Sequence, residues 1–204
     1  MELNNSKRNY FNILFIIIAI SAVGLVLFKF DWDILYFIQN HLRNGLFDTI
    51  VPIYTTLGEW AIMWIVMGLI MLIFKKYRRC GFMVLLALIA GLLICNIALK
   101  NIVARTRPCY IDESIILLVG NPSEYSFPSG HSVSSMAAAM TIWLHHKKIG
   151  WVAIILALLM GLSRLYVFVH FPTDVYGGFI IGMLIALGLH SIENNISAKK
   201  IKVN

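Results

Sequence analysis

With 204 residues, 59% of them hydrophobic, 13% charged and a mean hydropathy of +0.80, the chain is too apolar for a water-soluble domain and reads as a polytopic membrane protein. Its formal net charge of +7 and pI near 9.4 do not point to nucleic acid, because the basic residues fall in short clusters between apolar runs, which is a topology signal. Three cysteines, Cys80, Cys95 and Cys109, have neither an even count nor metal-ligand spacing, which argues against a disulfide framework.

Residues 1–9 are polar and place Lys7 and Arg8 ahead of a first apolar span at 10–28. That span lacks a small-residue cleavage site and is expected to stay as a helix. Residues 29–59 mix Trp32, Ile34, Leu35, Phe37 and Ile38 with Asp31, Asp33, His41 and Arg43. The pattern suits either an interfacial amphipathic helix followed by a turn or an ordinary loop. A second span at 60–74 is short, so its helix is expected to begin nearer Thr56; Lys75, Lys76, Arg78 and Arg79 follow at once. The third span, 82–98, is expected to run on as a helix to Arg107, where Pro108 disfavours helix. Residues 101–127 form the longest polar connection. The fourth span, 130–145, is rich in small residues (Ser132, Ser134, Ser135, Ala137, Ala138, Ala139), which favour close helix packing. The fifth covers 151–169 and the sixth 174–189, with Gly177, Gly178 and Gly182 permitting close approach. Residues 191–204 are a polar, basic tail. The expected fold is an all-α bundle of six transmembrane helices forming one domain over 1–204.

With the N-terminus in the cytoplasm, eleven of the 17 lysines and arginines fall inside: Lys7, Arg8, Lys75, Lys76, Arg78, Arg79, Lys147, Lys148, Lys199, Lys200 and Lys202. Of the other six (Lys29, Arg43, Lys100, Arg105, Arg107, Arg164), three belong to motifs described next. The positive-inside rule therefore puts both termini in the cytoplasm and those motifs on the extracytoplasmic side of a plasma membrane.

Ionisable residues at a membrane boundary are expensive to keep there and are functional candidates. Residues 163–174 read Ser-Arg-Leu-Tyr-Val-Phe-Val-His-Phe-Pro-Thr-Asp. Arg164 suits bidentate contact with a phosphate. His170 suits a nucleophile when its attacking nitrogen is neutral, and Asp174 can hold the other ring nitrogen. The competing reading is a snorkelling arginine and a histidine satisfied inside a bundle. In a continuous helix Arg164 and His170, six apart, would face different ways, so either the helix unwinds near Val169 or the arginine reaches across. Residues 100–108 read Lys-Asn-Ile-Val-Ala-Arg-Thr-Arg-Pro. Lys100 and Arg107, seven apart, are expected on one helical face about 10 Å apart along the axis. Residues 128–131 read Pro-Ser-Gly-His and are expected to open the fourth helix, with Pro128 in its first turn. Free N–H groups there favour an anion, Gly130 lets backbone approach it, and Ser129 can donate a hydrogen bond.

Together these stretches resemble the signature of the type-2 phosphatidic acid phosphatase (PAP2) superfamily: Lys-x6-Arg-Pro, Pro-Ser-Gly-His, then Ser-Arg-x5-His-x3-Asp. Every fixed position is met, in order, between Lys100 and Asp174. The apolar spans resemble the membrane branch of the family rather than its soluble haloperoxidase relatives. The resemblance implies that His170 is the nucleophile, forming a phosphohistidine, that Asp174 orients it, and that His131 protonates the leaving group. It implies a phosphate clamp of Lys100, Arg107, Ser129, Gly130 and Arg164, with no metal and no cofactor. Arg105 is placed less firmly as an extra charge, and Ser163 as a hydrogen-bond partner. The implied substrate is a membrane lipid phosphate whose tail stays in the bilayer. Undecaprenyl diphosphate, the carrier lipid of peptidoglycan biosynthesis, is favoured over phosphatidylglycerophosphate or a broad range of lipid phosphates. A different class of reading is a transporter, or a lipid-phosphate binder without catalysis, using the same charges; the complete histidine pair argues against it. The sequence carries no signal of oligomeric state.

Overall fold

The computed structural model describes the backbone of residues 2–203 and side-chain environments of residues 15–199; the side chains of Lys7, Arg8, Lys200 and Lys202, used in the orientation argument, lie outside that range. Among the described residues every regular element is helical. Helix α1 (Glu2–Lys29) carries the first apolar run and turns at Phe30 into α2 (Asp31–Phe37), at an angle of 60° for the described part. The mixed 29–59 region is thus helical, but it is two helices rather than one followed by a turn. A π-helical segment (Ile38–Leu42) extends α2, and α3 (Gly45–Thr56) begins at Asn44, whose side chain caps it by accepting from the Phe47 N–H at 3.1 Å.

The second apolar run does not continue α3. Trp60 and Ala61 both take left-handed backbone conformations, with φ of 52° and 57°, and α4 (Ile62–Ile73) departs at 55°. Such residues are costly without a compensating reason. Just before the break the chain runs close to the site: a Cβ added at Gly58 would stand 2.6 Å from His131 Cδ2 and from Met160 Sδ.

Helix α5 (Arg78–Gly91) passes through a π-helical segment (Leu92–Leu99) into α6 (Lys100–Val103). The helix ends at Val103, not at Arg107 as expected, because Ala104 turns left-handed (φ 48°). Arg107 is extended, as a residue before proline should be, and Pro108 occupies the first turn of α7 (Pro108–Ile111). Helix α8 (Gly130–His145) lies among its neighbours α5, α9 (Lys147–Tyr166) and α10 (Pro172–Val203). The small-residue reading of α8 holds: Ser132, Ser135, Ala137, Ala138 and Ala139 are buried. A Cβ at Gly182 of α10 would stand 2.5 Å from the Val133 carbonyl, so only glycine lets the two backbones meet there. The polar Ser135 is satisfied by the Trp64 indole, which donates to it at 2.8 Å.

Among the described residues three stretches, Arg78–Ile111 with its break at Ala104, Lys147–Tyr166 and Pro172–Lys199, are long and apolar enough to cross a membrane, and counting each bent pair as one span gives five. Helix α8, with 16 residues, spans about 24 Å, short of a bilayer core of about 30 Å.

Candidate active site

The site is built on the chain reversal between α9 and α10. Helix α9 stops at Tyr166, where the sequence allowed either unwinding or a long arginine reach; the structure shows unwinding. Phe168 adopts a left-handed φ of 61°, and the Val169 N–H closes the turn on the Arg164 carbonyl at 3.2 Å. That conformation costs about 1–3 kcal/mol, which burial of the Phe168 ring, worth about 1.5–3 kcal/mol, offsets. Leu35 and Ile38 of the α2 segment pack on this turn, and Trp32 meets Phe171 edge to face at 5.0 Å. The result is a rigid, buried platform bearing His170, which is 1% exposed.

Asp174, in the first turn of α10, faces His170 with Oδ2 3.6 Å from Nδ1. The same oxygen accepts from the Ser126 hydroxyl and from the Phe171 N–H at 2.8 Å, while Oδ1 accepts from Arg105 at 2.7 Å. On its other edge His170 Nε2 lies 3.0 Å from Arg107 Nη1. Arginine has only donors, so Nε2 must present its lone pair and the ring proton sits on Nδ1, toward Asp174. This is the tautomer a nucleophilic Nε2 requires. Burial, followed by the positive charges of Arg107, Arg164 and Lys100, holds the imidazole well below its ordinary pKa, so it is neutral.

Lys100 and Arg107 do not share a helix face, because the helix between them is broken. They converge instead on one residue: Lys100 pairs with the Glu124 carboxylate, and Arg107 Nε donates to the Glu124 carbonyl at 2.6 Å. Pro128 lies before the cap rather than in the first turn. Ser129 is the N-cap of α8 and accepts from Ser132 N–H and hydroxyl at 3.4 and 3.0 Å, leaving its own proton free to donate. The Ser129 N–H is tied to the Asp174 carbonyl at 3.1 Å, which joins the second motif to the third. The position a Gly130 Cβ would take is 3.8 Å from Lys100 Nζ. His131 follows, with Nε2 buried and without a hydrogen-bond partner among the described residues. Arg164 is anchored through Nη1 to the Thr55 hydroxyl at 2.6 Å, and its Nε is also buried and unpartnered. Ser163 bonds Met160 and Thr55, so it steadies the anchor of Arg164 rather than facing the cluster. Arg105 lies behind Asp174, bridging it to Asp31 at 2.7 Å from each and stacking on Phe171 at 4.0 Å; it is not part of the cation cluster.

Sequence reasoning missed Asp31, Thr55, Gly58, Glu124 and Ser126. Asp31, a buried acid next to an apolar span, was the one with a usable signal. The others carry no motif, and only the fold brings them in.

The family profile of the PAP2 superfamily matches residues 81–197, more than half of the chain. The protein belongs to the PAP2 superfamily. It is 28% identical over 202 residues to an undecaprenyl-diphosphatase of Sulfolobus acidocaldarius, covering 96% of this chain and 97% of that one. It is 32% identical over 132 residues to phosphatidylglycerophosphatase B of Bacillus subtilis, covering 59% and 62%. The crystal structure of a transmembrane PAP2-type phosphatidylglycerolphosphate phosphatase from Bacillus subtilis superposes with a TM-score of 0.68 at 28% identity, over 88% of this chain and 96% of the other. With its apolar helices, the chain is a membrane lipid phosphatase of the PAP2 superfamily.

Proposed function

We propose that this PAP2 protein hydrolyses undecaprenyl diphosphate to undecaprenyl phosphate and phosphate, with His170 as nucleophile and His131 as general acid. The observation that carries the roles is the paired state of the two imidazoles: one neutral, with its lone pair directed by Arg107 and its proton toward Asp174, the other with an unpartnered buried nitrogen. An incoming terminal phosphate takes the donors of Lys100, Arg107 and Arg164, the Ser129 hydroxyl, and the N–H groups at the start of α8 beside Gly130. Arg107 shifts from Nε2 to the phosphate, which frees the lone pair. Nε2 then attacks phosphorus in line, the bond to the bridging oxygen breaks, and that oxygen takes the proton of His131. The Nδ1 proton stays on the ring, and Asp174 stabilises the cationic phosphohistidine. Water, deprotonated by His131, attacks the phosphorus, releases phosphate and returns His170 to neutrality. Positioning and charge stabilisation supply most of the acceleration. The reading is metal-free, since three cations serve the phosphate and the Asp174 oxygens are already committed.

The carrier-lipid substrate rests on the near-complete overlap with the undecaprenyl-diphosphatase. Phosphatidylglycerophosphate is the second reading, favoured by the structural superposition. In both, six apolar segments cross the bilayer as one domain, with α8 as the short sixth, and the site opens on the extracytoplasmic face. The test is phosphate release by purified protein from undecaprenyl diphosphate, phosphatidylglycerophosphate, phosphatidic acid and p-nitrophenyl phosphate, with and without EDTA. The carrier lipid should have the highest kcat/KM and EDTA should leave it unchanged. His170→Ala should abolish turnover of every substrate. His131→Ala should lose far more on phosphatidic acid, an alkoxide leaving group, than on p-nitrophenyl phosphate. An equal loss on both would assign His131 another role.

A further inference from the structure

The opposite end of α8 from His131 carries a second cluster that phosphate chemistry does not use. The ends of this 16-residue helix are about 22 Å apart, so the cluster is remote from the site. His145 closes α8, and its Nδ1 is 2.8 Å from the Thr141 carbonyl. A carbonyl accepts only, so the Nδ1 proton lies there and the neutral ring turns an Nε2 lone pair outward. That nitrogen is 3.1 Å from Glu193 Oε2, itself an acceptor. His190 Nδ1 lies 3.4 Å from the same oxygen, and it is buried without a hydrogen-bond partner among the described residues. The second carboxylate oxygen, Oε1, is taken by Arg79 of α5, whose guanidinium also donates to Ser197 at 2.9 Å. Three acceptor-capable atoms from α8 and α10 thus lie within 4.8 Å of one another.

A proton shared between His145 and Glu193 would account for the first contact but would leave His190 Nδ1, 3.4 Å from the same oxygen, without a hydrogen bond among the described residues. A cation between the three accounts for all of them. Ligands bound to zinc at about 2.0–2.2 Å in a tetrahedron stand about 3.3–3.6 Å from one another, close to the observed 3.1 and 3.4 Å. The Thr141 carbonyl supplies the outer hydrogen bond that usually fixes a ligating histidine, and Arg79 does the same for the carboxylate. His190 and Glu193, three apart on α10, share a helix face. We infer that His145, His190 and Glu193 form a binding site for a divalent transition-metal ion of the zinc class. The site has three protein ligands and one open position, and it ties the end of α8 to α10. Arg79 keeps the carboxylate in place and, being on Oε1, leaves Oε2 to the ion.

The experiment uses tag-free full-length protein in detergent, stripped with EDTA and desalted, then titrated with Co²⁺ alone. One ion per chain should bind, with the intense visible bands of four-coordinate cobalt. Zn²⁺ should abolish the bands and raise the unfolding midpoint. His190→Gln and His145→Asn, checked for monodispersity, should lose both the bands and the Zn²⁺ shift, while His190→Gln keeps wild-type phosphate release. Absence of bands and of a Zn²⁺ shift in the wild-type protein overturns the site, and so do bands that persist in both variants. If either variant aggregates, wild-type protein decides alone: diethylpyrocarbonate should modify two fewer histidines with Zn²⁺ than without it, and equal modification overturns the proposal.

Discussion

At the scale of single residues, the site ties its polar atoms to partners and leaves His131 Nε2 and Arg164 Nε without one among the described residues. His170 is held neutral well below the ordinary histidine range of about 6.5. The sign follows directly: as pH falls through 6.5 an ordinary histidine takes a proton, while folded His170 does not. The acid limb of kcat/KM assigned to His170 should therefore lie below pH 6.5, and a pH-rate profile that breaks above that value would contradict the assignment. The same difference makes the unfolded state the greater proton binder just below pH 6.5, so this residue's contribution to stability declines as pH falls there. Behind His170, Asp31 accepts the Thr173 N–H at 2.9 Å and its hydroxyl at 2.6 Å, and it shares Arg105 with Asp174. Asp31→Asn should lower kcat about tenfold with KM little changed, because it loosens the orientation of Asp174 without touching phosphate. Steady-state kinetics on folded variant protein would show it, and a rise in KM at constant kcat would mean that Asp31 serves binding instead.

Among the elements, the breaks matter more than the helices. The chain bends at Gly58–Ala61 beside His131, and a Cβ at Gly58 would be 2.6 Å from that ring. Gly58→Ala should keep the fold, since the contacted atoms end flexible side chains. It should still cost about 10–100-fold in kcat, because a shift of about 1 Å in a catalytic group is that expensive. Unchanged turnover would show that His131 has room to spare. The sequence displayed the apolar runs and all three motifs, because hydropathy and fixed spacing are local properties. It also gave the packing of α8 through its small residues. It did not show the unwinding at Ala104, which replaces a shared helix face for Lys100 and Arg107 with convergence on Glu124. Nor did it show that α2 and α3 bring Asp31 and Thr55 to the site. These depend on contacts between residues far apart in the chain, which no spacing rule records.

For the whole molecule, orientation is the first matter open to experiment. A single cysteine placed at Ser123 should react with an impermeant thiol reagent applied to intact cells, and one at Lys148 should not; the reverse would put the site on the cytoplasmic side. The ion pair between Lys100 and Glu124 bears on how such a protein folds at all. Lys100, Arg107 and Arg164 are buried, and bare buried cations are costly. Glu124 is an internal counter-ion for this cluster, and its side chain is 51% exposed, so it is free to swing away. On the proposed reading, lipid phosphate would enter by exchange of one anion for another rather than by adding charge to an empty pocket, and the carboxylate would return as inorganic phosphate departs. The apparent affinity would then be scaled down by the fraction of time that Lys100 is free of Glu124. Glu124→Gln should accordingly bind inorganic phosphate more tightly as a product inhibitor, by about three- to tenfold if the pair is closed most of the time. It should also unfold at a lower temperature in phosphate-free buffer, so the cluster's own anion serves folding at the expense of affinity.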